Sequence, residues 1–72
     1  MFSKIPLLDS KAKVRVTFDD DSILIGVVDH WTSPGDSEKG VEELTIVPTQ
    51  GSLKGNYINF DETEVKSIEV ID

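Results

Sequence analysis

Residues 13–31, KVRVTFDDDSILIGVVDHW, decide the fold. In the first six of them, the apolar residues Val14, Val16 and Phe18 alternate with polar ones, which is the pattern of a half-buried β-strand. The turn-forming residues Asp19–Ser22 follow, and a new apolar run begins at Ile23. The stretch therefore predicts an antiparallel hairpin.

The second strand of this hairpin differs in kind from the first. It is apolar at every position from Ile23 to Ile25, which is typical of a long strand buried between two curved layers. Gly26 in its middle marks a place where the strand bends or another backbone comes close. We therefore expect a long strand that is buried on both faces in its first half.

Three further strands are predicted, separated by polar connections. Residues 32–40 form a polar loop, Pro48 ends the third strand, and residues 49–55 form a second connection that contains glycine. The acidic residues 61–64 join the last two strands, and their pattern favours a single tight helical turn. The predicted strands lie near residues 12–18, 23–31, 43–47, 56–60 and 65–71.

The number of strands and the length of the chain together indicate the fold class. Seventy-two residues are too few for a two-sheet sandwich, so five short strands favour a small all-β barrel, which also leaves fewer open sheet edges. We expect one domain over residues 1–72, with residues 1–11 as an N-terminal extension.

The composition limits the environment and the partners. Fourteen acidic against seven basic residues give a net charge of −7, which repels nucleic-acid phosphates. Residues 1–18 are the exception, with four basic residues against one acidic residue. The absence of cysteine suits a reducing compartment, and the first apolar run is too short for a leader or a membrane span. We therefore expect a soluble, cytoplasmic protein with no membrane partner.

The hairpin also resembles the first motif of the Sm and Sm-like (LSm) proteins. In that motif, alternating apolar residues such as Val14, Val16 and Phe18 lead into a turn, and a glycine follows five positions after it, as Gly26 follows Asp21. The resemblance covers about residues 12–31 and 57–71. Val28 and Trp31 fall on further apolar positions of the first motif, and Phe60 and Val65–Ile71 resemble the apolar frame of the family's second motif. It implies an SH3-like barrel that forms a homo-oligomer by pairing the fourth strand of one copy with the fifth strand of the next.

The positions of the family's RNA pocket depart from this resemblance. The family uses an arginine–glycine pair where this chain has Asp61 and Glu62, so an anion replaces a cation that stacks on a base and holds phosphate. The remaining pocket positions hold Thr32 and Asp36. The resemblance therefore favours the architecture and argues against the usual RNA pocket.

No catalytic or metal site is predicted. Asp29 and His30 are neighbours in a strand, where successive side chains point to opposite faces and do not form an acid–base pair. The aspartates of residues 19–21 lack the spacing of a calcium loop and are predicted to form a solvated turn. We expect no enzymatic activity and no cofactor.

The aromatic residues and the single histidine supply the candidate contacts. Trp31 stands between a strand and the polar loop, and with His30 and Tyr57 it is a candidate for binding a partner. A small core also favours using Trp31 to close one end of the barrel, and both interpretations stay open.

Two main functions remain from the sequence, and binding of a divalent cation by the acidic turns is a third, weaker interpretation. The first is a non-catalytic protein-interaction or assembly module that binds a protein partner or self-associates through strand edges. The alternative is RNA binding by an oligomeric ring through Lys11, Lys13 and Arg15.

Overall fold

A computed structural model describes residues 1–5 and 11–71 of the chain. Residues 6–10 of the predicted N-terminal extension and Asp72 lie outside this description. The strands are β1 (Lys13–Phe18), β2 (Ile23–Thr32), β3 (Glu43–Pro48), β4 (Ile58–Asp61) and β5 (Val65–Val70). Short 3-10 turns occupy Phe2–Lys4 and Glu62–Glu64, and the second of these is the helical turn predicted between the last two strands.

All five strands belong to one antiparallel sheet in the order β4-β3-β2-β1-β5. The prediction of a small five-stranded all-β fold is confirmed, with strand boundaries within about two residues of those expected. The long strand β2 pairs with β1 through its first half and with β3 through its second half. The order leaves β4 and β5 as the two edge strands among the described residues.

At Gly26, the backbones of β2 and β3 lie close together. A β-carbon built on Gly26 would lie 2.6 Å from the backbone oxygen of Val47 and 2.9 Å from the α-carbon of Pro48. Only a residue without a side chain fits between these backbone atoms.

The inward faces of the strands form one core. Its aromatic centre is Phe60, whose ring meets Phe18 at a centroid distance of 5.0 Å and Phe2 at 5.8 Å, both edge to face. Phe2 comes from the predicted N-terminal extension, yet its side chain is fully buried. The buried apolar residues are Phe2, Ala12, Val14, Val16, Val28, Leu44, Ile46, Phe60 and Val65.

A β-bulge reverses the direction of side chains near the end of β2. Val28 pairs with Ile46, but His30 pairs with Thr45 and Trp31 with Leu44, so Asp29 is an extra residue in the strand. After the bulge, Trp31 therefore takes the inward position opposite buried Leu44, and His30 takes the outward one.

No helix in residues 1–5 and 11–71 has the length and apolar character needed to cross a membrane.

Candidate functional site

Trp31 lines the end of the core. Its ring is half-buried and packs against the buried cluster, and its indole Nε1 donates a hydrogen bond to Glu42 Oε1 at 3.0 Å. Most of the ring is therefore occupied by contacts within the chain. His30, by contrast, is exposed on the outer surface.

Glu42 is the centre of a polar cluster that was not predicted from the sequence. It is only 5% exposed, and its carboxylate accepts hydrogen bonds from the Met1 amino group, the Ser3 backbone N–H at 2.7 Å and Trp31. Its own backbone N–H donates to Glu62 Oε2 at 2.7 Å. Glu42 interrupts no periodic pattern, since it lies between a loop and a strand, so sequence alternation could not single it out.

The ionisation of Glu42 reflects these contacts. Burial alone would raise the pKa of this carboxyl group, but the hydrogen bonds from Met1, Trp31 and Ser3 outweigh burial and hold the pKa below its ordinary value near 4.5. The same contact with Glu42 raises the pKa of the Met1 amino group. Glu42 therefore connects the N-terminal residues Met1 and Ser3 to Trp31 at the end of the core.

The outer face of the sheet carries an apolar strip where a solvated face is expected to be polar. We define the outer apolar strip as Ile23, Ile25, Val27 and Val47. Ile23 is 59% exposed, and the other three are half-buried. Val27 and Val47 are direct cross-strand partners. The double-sided apolar run in β2 thus has one side in the core and the other at the surface, rather than lying between two layers.

A groove borders the outer apolar strip at its Ile23 end. It has a volume of about 360 Å³ and lies between the start of β2 and residues 50–53. Ile23, Ile25 and Leu53 supply apolar walls, while Gln50 and Ser52 supply polar groups. Leu53 is itself 43% exposed, so apolar surface continues from the strip across the groove.

Tyr57 lies on the other flank of the same face. It directly precedes Ile58, which pairs with Ile46, so Tyr57 stands level with Val47. Its side chain is 72% exposed, the most of any large apolar residue described. The structure therefore brings two predicted contact residues, His30 and Tyr57, to the outer face near Val47, and it places Trp31 on the inner side.

The predicted nucleic-acid residues lie along β1 or just before it. Arg15 Nε donates to Glu69 Oε1 at 2.8 Å, and Lys11 Nζ lies 3.7 Å from Asp29 Oδ1. Lys13 is exposed beside Val27 and makes no ion pair with another described residue. Two of the three cations are thus already near carboxylates, which reduces the positive potential available to phosphate.

Asp61 and Glu62 bond to other residues within the chain. Asp61 caps the 3-10 turn at Glu62–Glu64, accepting a hydrogen bond from the Thr63 N–H at 2.8 Å. Hydrogen bonds from Thr63, and then from Lys39, lower the pKa of the Asp61 carboxyl group despite some desolvation. The Asp61 N–H donates to Glu64 Oε2 at 3.0 Å, so the end of the β4 edge is satisfied internally.

The acidic β1–β2 turn is also internally bonded. Asp20 Oδ1 accepts from the Ser22 N–H at 3.0 Å and from its hydroxyl at 2.6 Å, and Asp21 pairs with Lys66 at 2.7 Å. Within the described ranges, no group of three or more histidine, cysteine, aspartate or glutamate side chains is arranged to hold a metal ion.

No family model, curated protein or solved structure matches this chain. The resemblance to the Sm-like proteins stays a prediction from the quoted sequence positions.

Proposed function

We propose that this protein is a non-catalytic assembly module whose copies associate through the outer apolar strip. The observation that carries the proposal is the placement of Ile23, Ile25, Val27 and Val47 together on one outward sheet face, where Ile23 is exposed and the other three are half-buried. Neighbouring apolar side chains that stay partly exposed on one face are typical of protein interaction sites, because covering them removes apolar area from water.

A second copy of the same chain is the partner that this surface favours, through apolar contact and one local pairing of opposite charges. It brings an equal apolar strip, and its acidic β1–β2 turn complements Lys13, which borders the strip at Val27. Strand-edge pairing is the competing route to self-association. It has less support, because Asp61, in the short edge strand β4, already donates its N–H to Glu64.

The expected association is weak and depends on concentration. A standard stable interface covers about 800 Å² on each partner. The described residues expose 4418 Å² in total, and one strip of four side chains with its groove is a small part of that. We therefore expect a reversible dimer rather than a permanent one.

Sedimentation equilibrium of the intact chain, from micromolar to millimolar concentration, tests the proposal. We expect the average mass to rise towards a dimer, and Ile25→Lys to keep the chain monomeric because it places a charge in the centre of the strip. Thr45→Lys is the matched control, since Thr45 faces outward on β3 beside His30 and outside the strip. A strict monomer at every concentration contradicts the proposal. Association that Ile25→Lys leaves intact contradicts the role of the strip.

RNA binding is the alternative outcome. Titration of short uridine-rich and adenine-rich RNA at low salt is expected to give no saturable binding, because Lys11 and Arg15 lie beside carboxylates and the net charge is −7. Tight binding that is lost on Lys13→Glu would favour the RNA function instead.

A further inference from the structure

Resting on the proposed function, we propose that two copies meet face to face about a two-fold axis, with Tyr57 of each copy seated in the groove of the other copy. The groove is the one lined by Ile23, Ile25 and Leu53. The occupant is thus a specific side chain of a second copy of this chain.

The register of the β1–β2 hairpin defines three levels along the outer face. Ile23 pairs with Thr17 at the turn end, Ile25 with Arg15 in the middle, and Val27 with Lys13 at the open end. Suppose that a two-fold axis crosses the strands at the middle level. Ile25 of one copy then faces Ile25 of the other, and the turn end of each hairpin faces the open end of its partner. Ile23 of one copy then faces Val27 of the other, so the apolar strip covers itself.

The same axis carries Tyr57 to the level of the groove along the strands. Tyr57 stands at the level of Val47 and Val27, which is the open end of the hairpin. The groove lies at the turn end, between Ile23 and the segment that follows Thr49. The backbone N–H of Thr49 donates to the backbone oxygen of Ile25 at 3.1 Å, which holds the start of this segment beside β2. Exchanging the two ends therefore carries the exposed tyrosine of one copy towards the groove of the other, and the contact occurs twice in the dimer.

The chemistry of the groove suits a tyrosine side chain. Its apolar walls take the ring, and burial of an aromatic ring is among the largest single contributions to an interface. Gln50 and Ser52 line the same groove and offer partners for the phenolic hydroxyl, which must be hydrogen-bonded once it leaves water. An entirely apolar groove would not offer such partners.

The charges at the two ends are complementary in this orientation. Lys13 lies at the open end, while Asp19 and Asp20 lie at the turn beyond the other end. The two-fold axis brings the lysine of each copy towards the acidic turn of its partner. A parallel arrangement of the two hairpins would instead place the acidic turns together.

Two measurements on the intact chain test the proposal. In sedimentation equilibrium, Tyr57→Ala is expected to weaken the dimer at least tenfold, whereas Tyr57→Phe keeps most of the affinity because the ring remains. Ile71→Ala is the matched control, since Ile71 is an exposed apolar residue at the end of β5, and it is expected to change the affinity less than twofold. Lys13→Glu is expected to weaken the dimer and a combined Lys13→Glu, Asp20→Lys variant to recover it.

Fluorotyrosine labelling supplies the second measurement, because Tyr57 is the only tyrosine in the chain. Its single fluorine resonance is expected to shift with protein concentration along the same curve as the mass. A rising mass with a constant resonance and an unaffected Tyr57→Ala variant would overturn the groove contact while leaving the assembly function in place. No association at any concentration would overturn both.

Discussion

At the level of single residues, the structural role of Gly26 was the easiest to predict from the sequence. A glycine inside an apolar strand predicted either a bend or a close backbone approach, and the structure has the close approach, 2.6 Å from a β-carbon position to Val47 oxygen. Glu42 is the opposite case. Its burial depends on the Met1 amino group, Ser3 and Trp31, which come from distant parts of the chain and leave no local pattern.

Gly26→Ala is expected to lower the free energy of unfolding by about 1–3 kcal/mol, because the new methyl group overlaps the β3 backbone and the strands must separate. Urea denaturation measures the change. Gly35→Ala is the matched control, since a β-carbon there would meet only the Ser33 hydroxyl at 4.0 Å. Equal effects of the two substitutions would show that Gly26 is not needed for strand packing.

The Glu42 cluster predicts a specific dependence of stability on pH. The folded-state pKa of Glu42 lies below the ordinary pKa of a glutamate side chain. The ionised carboxylate therefore contributes its full stabilisation of the fold at pH values above that ordinary pKa. This contribution is lost as the pH falls through the folded-state pKa. We therefore expect the difference in unfolding free energy between the wild type and Glu42→Gln to be largest near neutral pH and to shrink in acid.

Urea denaturation across the acid range, with exposed Glu38→Gln as the control, checks this dependence. Asp20 and Asp61 also have lowered pKa values, but their contribution is common to both proteins and cancels in the comparison. A wild-type advantage that is independent of pH would contradict the ionic role of Glu42.

At the level of elements, β1 and β3 were predictable because burial alternates through most of β1 and all of β3. The second half of β2 was not. Continuing its alternation past Val28 would point His30 inward and Trp31 outward, whereas the bulge at Asp29 reverses both. A bulge depends on the register with the neighbouring strand, and one sequence carries no record of that register. The outer apolar strip was also not predictable from the sequence. When a strand is apolar on both faces, its sequence does not show which face packs into the core and which remains at the surface.

Ile46 tests the central packing of β2, β3 and β4, since it is fully buried and pairs with both Val28 and Ile58. Ile46→Ala is expected to cost about 2–5 kcal/mol of unfolding free energy through lost burial and the cavity left behind. Thr45→Ala, one residue away on the outer face, is expected to cost far less. Thermal and urea unfolding of the two variants measure the difference, and comparable losses would contradict the assigned inward and outward faces.

At the level of the whole molecule, the charge governs association. Each copy carries a net charge of −7, so two copies repel each other at low ionic strength, and salt screens this repulsion within a Debye length of about 10 Å at 0.1 M. Dimerisation through apolar surface is therefore expected to strengthen as salt is raised. RNA binding through phosphate contacts would weaken over the same range. Sedimentation in a salt series distinguishes the two, and a dimer that dissociates steeply with salt would contradict an apolar interface.

The most direct test of the central claim is a dilution series of the ¹⁵N-labelled chain followed by amide chemical shifts. The account predicts that shifts change with concentration at Ile23–Val27, Val47, residues 50–53 and Tyr57, and that the β5 amides stay constant. Constant shifts across the whole chain up to millimolar concentration would contradict self-association. Changes confined to β4 and β5 would assign the contact to the strand edges and contradict the outer apolar strip.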